Sequence, residues 1–260
     1  MAEIKWDQTG ERRYETGTKK GVLYPKTAQD GGYDTGVAWN GLTAVTDSPS
    51  GAEESALYAD DRKYLGLRSA EEYGCTIECY TYPDQWMLCD GSAELAPGVT
   101  VGQQTHVGFG FSYVTTIGND VKGDQYGYKI HLVYNAIASP SEKSYASIND
   151  SPEAVTFSYE VTTTPVEINT EIDGKKLKPS ATIVIDSTKF TTEEQKNKLK
   201  TIENKLYGTE NSDPELPTPD QIIAILNGTA VTPANPPANG ETGGETGGET
   251  GGETGDQNNG

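Results

Sequence analysis

Three cysteines, two histidines and several carboxylate pairs are the side chains in this sequence with types and spacings that could do chemistry. Cys75, Cys79 and Cys89 stand in a C-x3-C-x9-C pattern, with His106 further along. A structural zinc site usually shows tighter C-x2-C pairs, and here a fourth ligand would have to come from a distance. On a strand, Cys75 and Cys79 point to the same face, so the expectation is small buried hydrophobes and no metal. His131 lies in Ile130-His131-Leu132, where alternation sets it opposite its neighbours. The expectation is a surface or interface histidine and not a general base. No G-x-S-x-G elbow supplies an activated nucleophile.

Phosphate-binding patterns fail at identifiable positions. Gly118 and Gly123 have the first spacing of a P-loop, but Asp124-Gln125 follow where Lys-Ser or Lys-Thr is required, and an acid there repels phosphate. A hairpin loop is expected instead. Gly108-Phe109-Gly110 lacks the third glycine of a dinucleotide fingerprint. The pairs Glu53-Glu54, Asp60-Asp61 and Glu71-Glu72 raise the question of glycosidase carboxylates or calcium ligands. Neighbouring residues of an extended chain face opposite ways, and no Asp-x-Asp-x-Asp-Gly loop is present, so solvated charge is expected. No catalytic residue, cofactor or metal site is expected, and the chain reads as a non-enzyme.

The elements that would position such groups are mostly strands. Residues 21–24, 36–46, 63–68, 73–82, 105–117, 128–137, 154–164 and 181–185 are rich in β-branched and aromatic residues between Gly, Pro and Asp punctuation. Val155–Val161 alternates most clearly, which predicts one buried and one wetted face. Asn40-Gly41 is compatible with a tight turn or a bulge. A short helix is predicted around Trp86, after Pro83. A second is predicted over 192–207, where Thr192 and Gln195 form a capping box and Leu199, Ile202 and Leu206 make a stripe narrow enough to lie on a sheet. A third follows Pro219. Residues 46–61 read as a long polar inter-strand loop. From residue 228 the chain turns to Pro, Gly and a Glu-Thr-Gly-Gly repeat, which predicts a disordered extension over 228–260.

The 260 residues carry a net charge of −19. Residues 228–260 hold five of the 39 acidic residues and no Lys or Arg, so the first 227 carry 34 acidic against 20 basic, a net of −14. Such a body is repelled by nucleic-acid phosphates and by anionic membranes. The N-terminal segment has no apolar core, so no signal peptide is expected. An odd number of cysteines argues for a reducing compartment over a disulfide framework.

Several stretches, taken in order, resemble the major tail tube proteins of long-tailed siphophages. They are residues 36–83; the run from Asp90-Gly91-Ser92 to Gln104-Thr105; Gly127-Tyr128-Lys129-Ile130-His131-Leu132-Val133-Tyr134 with 138–143; 148–154 with 160–166; and a closing Leu216-Pro217-Thr218-Pro219-Asp220. The resemblance covers residues 1 to about 227. It implies a mainly β fold, a β-sandwich or split β-barrel with a flanking short helix and a C-terminal helical segment over 192–227. It also implies that six copies close a ring and that rings stack into the tube through which double-stranded DNA leaves without specific binding. The partners implied are other copies of the chain and the tape measure, tail terminator and baseplate proteins. The location implied is the virion, with assembly in the host cytoplasm. An N-terminal arm over 1–21 and the loop at 46–61, through Ser48, Pro49, Ser50, Gly51, Ala52, Glu53, Glu54 and Ser55, would reach the next ring. The alternative is a β-sandwich adhesin or carbohydrate-binding module, which exposed aromatics such as Trp39, Tyr80, Tyr82 and Trp86 clustered in one shallow groove would favour.

Overall fold

The computed structural model describes residues 3–27, 32–148, 150, 153–172 and 174–228. Strand β1 (Arg13–Pro25) opens the fold, followed by β2 (Val37–Trp39) and β3 (Leu42–Asp47). An excursion of four strands comes next: β4 (Ser50–Gly51), β5 (Glu54–Ala59), β6 (Arg62–Arg68) and β7 (Glu71–Glu72). The chain re-enters the body at β8 (Gly74–Cys79), then forms α1 (Trp86–Cys89) and the small hairpin of β9 (Ala93–Ala96) and β10 (Val99–Val101). Two long strands, β11 (Phe109–Asn119) and β12 (Gly123–Ala138), precede β13 (Phe157–Thr163). The hairpin of β14 (Glu171–Ile172) and β15 (Lys175–Lys176), then β16 (Thr182–Asp186), lead to α2 (Glu193–Tyr207) and α3 (Pro219–Asn227).

The main sheet runs β2-β1-β11-β12-β13-β8-β3, with β16 also on β12, and all its pairs are antiparallel. Two corners fold this path into two layers. At the first, β12 exchanges partners: Lys129–Val133 pair with β16, whereas Ala136–Ala138 pair with β13. Asn135 sits between at φ 46, a left-handed conformation that its short polar side chain tolerates. At the second, Asn40-Gly41 turns the chain from pairing with β1 to pairing with β8, with Gly41 at φ 76. The dipeptide is therefore a corner between layers and not a hairpin turn. The architecture is mainly β and sandwich-like with short helices, and it does not close as a barrel.

Side-chain alternation sorts the apolar residues into two cores. Leu23, Phe111, Tyr113 and Val133 face the second layer, where Ile77, Tyr159 and Val161 meet them. Helix α1 plugs this space with Trp86, which is fully buried and whose ring lies 4.6 Å from that of Trp39, 4.8 Å from Tyr159 and 5.0 Å from Phe109. Val22, Tyr24, Val114, Ile130, Leu132 and Tyr134 face the other way, under Leu199, Ile202 and Leu206 of α2 and Ile222 and Ile225 of α3. Burial on both faces explains why residues 130–134 read as an almost unbroken apolar run. The hydroxyls of Tyr24 and Tyr134 donate to the carbonyls of Leu206 (2.7 Å) and Pro217 (2.9 Å), so two buried carbonyls at the helical layer are paired.

The expected capping box of Thr192 with Gln195 forms, and α3 has one too, Thr218 with Gln221. The hairpin expected at Gly118–Gly123 is the β11–β12 turn, where Asn119 accepts from the amides of Val121 and Lys122. Two expectations need correction. The N-terminal arm does not extend to residue 21, because Arg13–Thr16 already pair with Thr116–Asn119 of β11. Bulges on either side of Lys19, with Gly17 and Lys20 at positive φ, break the alternation and hide this half of the strand. The stretch at 46–61 is not a loop but part of a laddered ribbon. The Glu-Thr-Gly-Gly extension lies outside the described residues.

Helix α2 is held to the sheet by few side chains, so each matters. Ile202→Ala is expected to cost about 2–5 kcal/mol of unfolding free energy through the cavity it leaves. Lys200→Ala, on the solvent side, is expected to change stability by less than about 0.5 kcal/mol. Urea unfolding followed by circular dichroism measures both.

Candidate functional site

The chain leaves the second layer at Asp47 and returns at Gly74, with the Ser48 amide donating to the Gly74 carbonyl at 2.8 Å. Everything between forms a two-stranded ribbon standing off the body. β4 pairs with β7 at its foot, and β5 pairs with β6 above. The tip is a two-residue turn, Asp60-Asp61, with φ of 51 and 59, the geometry of a type I′ hairpin turn. Between the tiers, Gly51 (φ 80) and Ala52 (φ 55) kink the ribbon. A side chain at Gly51 would place its Cβ 2.2 Å from the Ala70 carbonyl oxygen, so this glycine is required.

Register divides the upper tier into two unlike faces. Ser55 opposes Leu67 and Leu57 opposes Leu65, which gathers three leucines on one face. Glu54, Ala56, Gly66 and Arg68 take the other, where Glu54 pairs with Lys63. Leu57, Leu65 and Leu67 are 44%, 48% and 52% exposed, and Tyr58 and Tyr64 are each 73% exposed. A hairpin that carries this much apolar surface and touches no core is marginal by itself.

Ser48, Pro49, Ser50, Gly51, Ala52, Glu53, Glu54 and Ser55, expected as a contact loop, form instead the rising edge of the foot and the start of β5. The strand expected at 63–68 exists, but among the described residues it pairs with β5 alone and is exposed along its length. All three acidic pairs, Glu53-Glu54, Asp60-Asp61 and Glu71-Glu72, sit on this ribbon and are exposed.

Where the ribbon meets the body, five strands and the residue before β8 bring polar groups together. The Tyr73 hydroxyl donates to Asp47 Oδ1 at 2.5 Å, and the Thr163 hydroxyl donates to the Tyr73 carbonyl at 2.7 Å. On the neighbouring layer, Tyr113 stacks on His131 with ring centroids 4.5 Å apart and planes 4° from parallel. His131 Nε2 lies 2.9 Å from Thr115 Oγ1, and the Thr115 hydroxyl donates to Glu15 Oε1 at 2.5 Å. Lys129 pairs with the other oxygen of Glu15.

The order of these bonds sets the protonation states. Thr115 has one proton and gives it to Glu15, so His131 Nε2–H must donate to the threonine oxygen. A hydroxyl activated as a nucleophile would donate to the imidazole; here the direction is reversed. Burial pushes the His131 pKa below its ordinary value against the upward pull of Glu15 and Asp47. Burial pushes Glu15 upward, but the hydrogen bonds from Lys129 and Thr115 outweigh it and hold the carboxyl below its ordinary value. This set joins β1, β11 and β12, and it is built for holding neutral imidazole against a paired carboxylate. Only His131 was visible in the sequence. Glu15, Thr115 and Lys129 come from strands whose register no motif announces.

The cysteines are buried, as expected, and Cys75 and Cys79 share the inward face of β8. Burial raises their pKa values, to about 12 for Cys75, about 11 for Cys79 and about 12 for Cys89, so all three stay thiols at neutral pH. His106 bonds through Nδ1 to the Cys89 carbonyl at 3.0 Å. Among the described residues no cluster of His, Cys, Asp and Glu could hold a metal ion. No helix among them is long and apolar enough to cross a membrane. Protein-family models and curated proteins give no match to this sequence.

The cluster makes a signed prediction about pH. Because folding lowers the His131 pKa below 6.5, the unfolded chain takes up the proton first as pH falls. Stability is therefore full above pH 6.5 and declines below it, until the folded pKa is passed. Glu15 acts in a separate window, losing its contribution only as pH drops below 4.5. In His131→Gln the decline that begins just under pH 6.5 is expected to flatten while the fall below 4.5 remains. Urea midpoints measured at intervals from pH 7.5 to 3.5 would show an unchanged upper slope if His131 were not responsible.

Proposed function

We propose that this chain is a structural protein that assembles with copies of itself into stacked rings, as in the phage tail tubes that its sequence resembles. The observation that carries this reading is the ribbon from Ser48 to Glu72. It presents Leu57, Leu65 and Leu67 to water on a two-stranded element with no core of its own, an arrangement that a neighbouring copy would stabilise. Unpaired backbone edges support the same reading. Among the described residues β16 pairs only with β12, and β3 only with β8. Such edges suit growth from subunit to subunit.

Charge supports a conduit for DNA. Asp47, Glu53, Glu54, Asp60, Asp61, Glu71 and Glu72 concentrate negative charge on and beside the ribbon against Arg62, Lys63 and Arg68. An acidic assembly lets double-stranded DNA pass without adhering. On this reading the chain is not an enzyme. Its location is the virion, and its other partners are the tape measure, terminator and baseplate proteins. A shallow groove lined by aromatics such as Trp39, Tyr80, Tyr82 and Trp86 would have favoured the adhesin alternative. Trp39 and Trp86 are core residues instead, and of the four only Tyr80 is strongly exposed, at 55%, so these aromatics lend that reading no support.

Replacing Leu57, Leu65 and Leu67 together by serine tests the proposal without touching either core. The monomer is expected to unfold within about 0.5 kcal/mol of the parent. Rings and tubes seen by negative stain at high concentration are expected to vanish. Excising 54–68 and joining Glu53 to Ser69 through a short turn should do the same, since the Ser69 amide already donates to the Glu53 carbonyl at 3.2 Å. Normal tubes from either variant would refute the role given to the ribbon.

A further inference from the structure

Side chains as well as backbone clasp the ribbon at its foot. The Ser48 amide donates to the Gly74 carbonyl at 2.8 Å, and beside it the Tyr73 hydroxyl donates to Asp47 Oδ1 at 2.5 Å. Tyr73 is itself fixed to β13, where the Thr163 hydroxyl holds its carbonyl. Asp47 is exposed, and among the described residues its carboxylate accepts only from Tyr73. Across the mouth stands His131, whose pKa Asp47 and Glu15 pull upward against burial. The geometry of the imidazole fixes where a second proton would go. Nε2–H already donates to Thr115 Oγ1 and lies 3.6 Å from Glu15 Oε1, so the new N–H appears at Nδ1. Among the described residues no hydrogen bond reaches Nδ1. The side chain is 16% exposed, which gives solvent protons access to it.

We propose that His131 is a proton-operated latch for the ribbon: its imidazolium draws Asp47 away from Tyr73 and frees the ribbon to swing about its foot. The other groups at this mouth are already engaged. Glu15 of β1 takes Thr115 and Lys129 and lies on the Nε2 side, so it cannot answer a donor at Nδ1. Tyr113 of β11 is stacked on the ring. On β16, Val184 stands opposite His131, and Asp186, opposite Lys129, accepts from the amide and hydroxyl of Thr188. Burial keeps Tyr73 and Cys75 of the second layer protonated, and Glu15 is held ionised, so these three keep their charge between pH 6.5 and 4.5. Asp47 is left as the carboxylate free to move. It is the last residue of β3 and is followed directly by the ribbon, whereas Tyr73 stays with β13. Once they part, the β4–β7 pair and the Ser48–Gly74 bond alone hold the foot among the described residues. The latch is closed at neutral pH and opens as His131 takes up its proton below pH 6.5. It operates within one molecule and does not depend on what the ribbon meets.

The test uses the full chain carrying Leu57→Ser, Leu65→Ser and Leu67→Ser, so that its outcome is separate from any association through the ribbon. Imidazole nitrogen shifts follow the His131 titration, amide exchange reports the Ser48 bond, and amide relaxation over 54–68 reports ribbon motion. The pH is lowered from 7.5 to 4.5 at low salt, where exposed charges are least screened. Protection at Ser48, corrected for intrinsic exchange, is expected to fall about fivefold, the worth of one hydrogen bond, with the midpoint of the imidazole titration. Ribbon motion is expected to rise with it, while the Leu132 amide in the body keeps its protection. Adding His131→Gln, whose amide can donate to Thr115 but takes up no proton, is expected to hold the ribbon at its neutral-pH behaviour throughout. Adding Asp47→Asn keeps an acceptor for Tyr73 and removes the charge; the imidazole is expected to titrate at lower pH with the foot still closed. The latch is overturned if His131 takes up its proton with no change at Ser48 or in the ribbon, or if it stays neutral down to pH 4.5. It is also overturned if His131→Gln loosens as the parent does, if Asp47→Asn opens with the parent's midpoint, or if Leu132 loses protection equally. Should the glutamine variant fail to fold, Asp47→Asn, at an exposed position, decides.

Discussion

Strand β12 is the member on which the other elements depend. It is hydrogen-bonded to β11 on one side and, in succession, to β16 and β13 on the other. Its two faces are buried in different cores, Ile130, Leu132 and Tyr134 under the helices and Val133 against the second layer. The exchange of partners at Asn135 is what allows a single strand to belong to both layers. The Asn135 amide donates to the Tyr33 hydroxyl at 2.9 Å, and its carbonyl accepts from the Thr164 amide at 3.1 Å, so the corner leaves no backbone group there unpaired. With β12 fixed, the helices have a floor, Trp86 has a cavity to fill, and β8 with β3 is set where the ribbon must emerge.

The polar cluster is a consequence of that frame. His131 lies on β12 between two residues that face the helical core, so its imidazole is directed to the mouth between the layers, where Tyr113 stacks on it. The second layer contributes Asp47 and Tyr73 at the same mouth, and these are the last body residues before the ribbon and the first after it. Neutral imidazole, a paired carboxylate and a tyrosine hydrogen-bonded to aspartate make the base of the ribbon polar but satisfied. The apolar surface is displaced outward to Leu57, Leu65 and Leu67. Stability of the body and stickiness of the projection are thus carried by separate residues, and one can change without the other.

Local signals in the sequence reported the elements they govern. The Thr192–Gln195 box, the leucine stripe of α2, the alternation of β13 and the inward cysteines of β8 each follow from spacing within one element. The ribbon was concealed because its turn is Asp60-Asp61, where both residues must adopt positive φ without a glycine, and because a bulge at Tyr64 shifts the alternation of β6 against β5. The first half of β1 was concealed by charge: Glu15, Lys19 and Lys20 look like loop, yet Glu15 is held by Thr115 and Lys129 from two other strands. Contacts between strands far apart in sequence have no spacing to read. That is why the cluster around His131 belongs to the three-dimensional structure alone.

The foot of the ribbon has a mechanical meaning. One short β-pair, two residues on each strand, and one amide-to-carbonyl bond make the foot at the body, and the left-handed residues Gly51 and Ala52 kink the ladder just above. The upper tier, by contrast, is a longer ladder of six residue pairs, with one bulge before its tight turn. Such an object behaves as a stiff oar on a compliant oarlock: displacement of its tip is absorbed at the foot and not along the blade. In an assembly held through its ribbons, shear and bending would collect at these joints while the leucine contacts and the sandwich bodies kept their shape. A filament of such subunits would flex as a chain of rigid links.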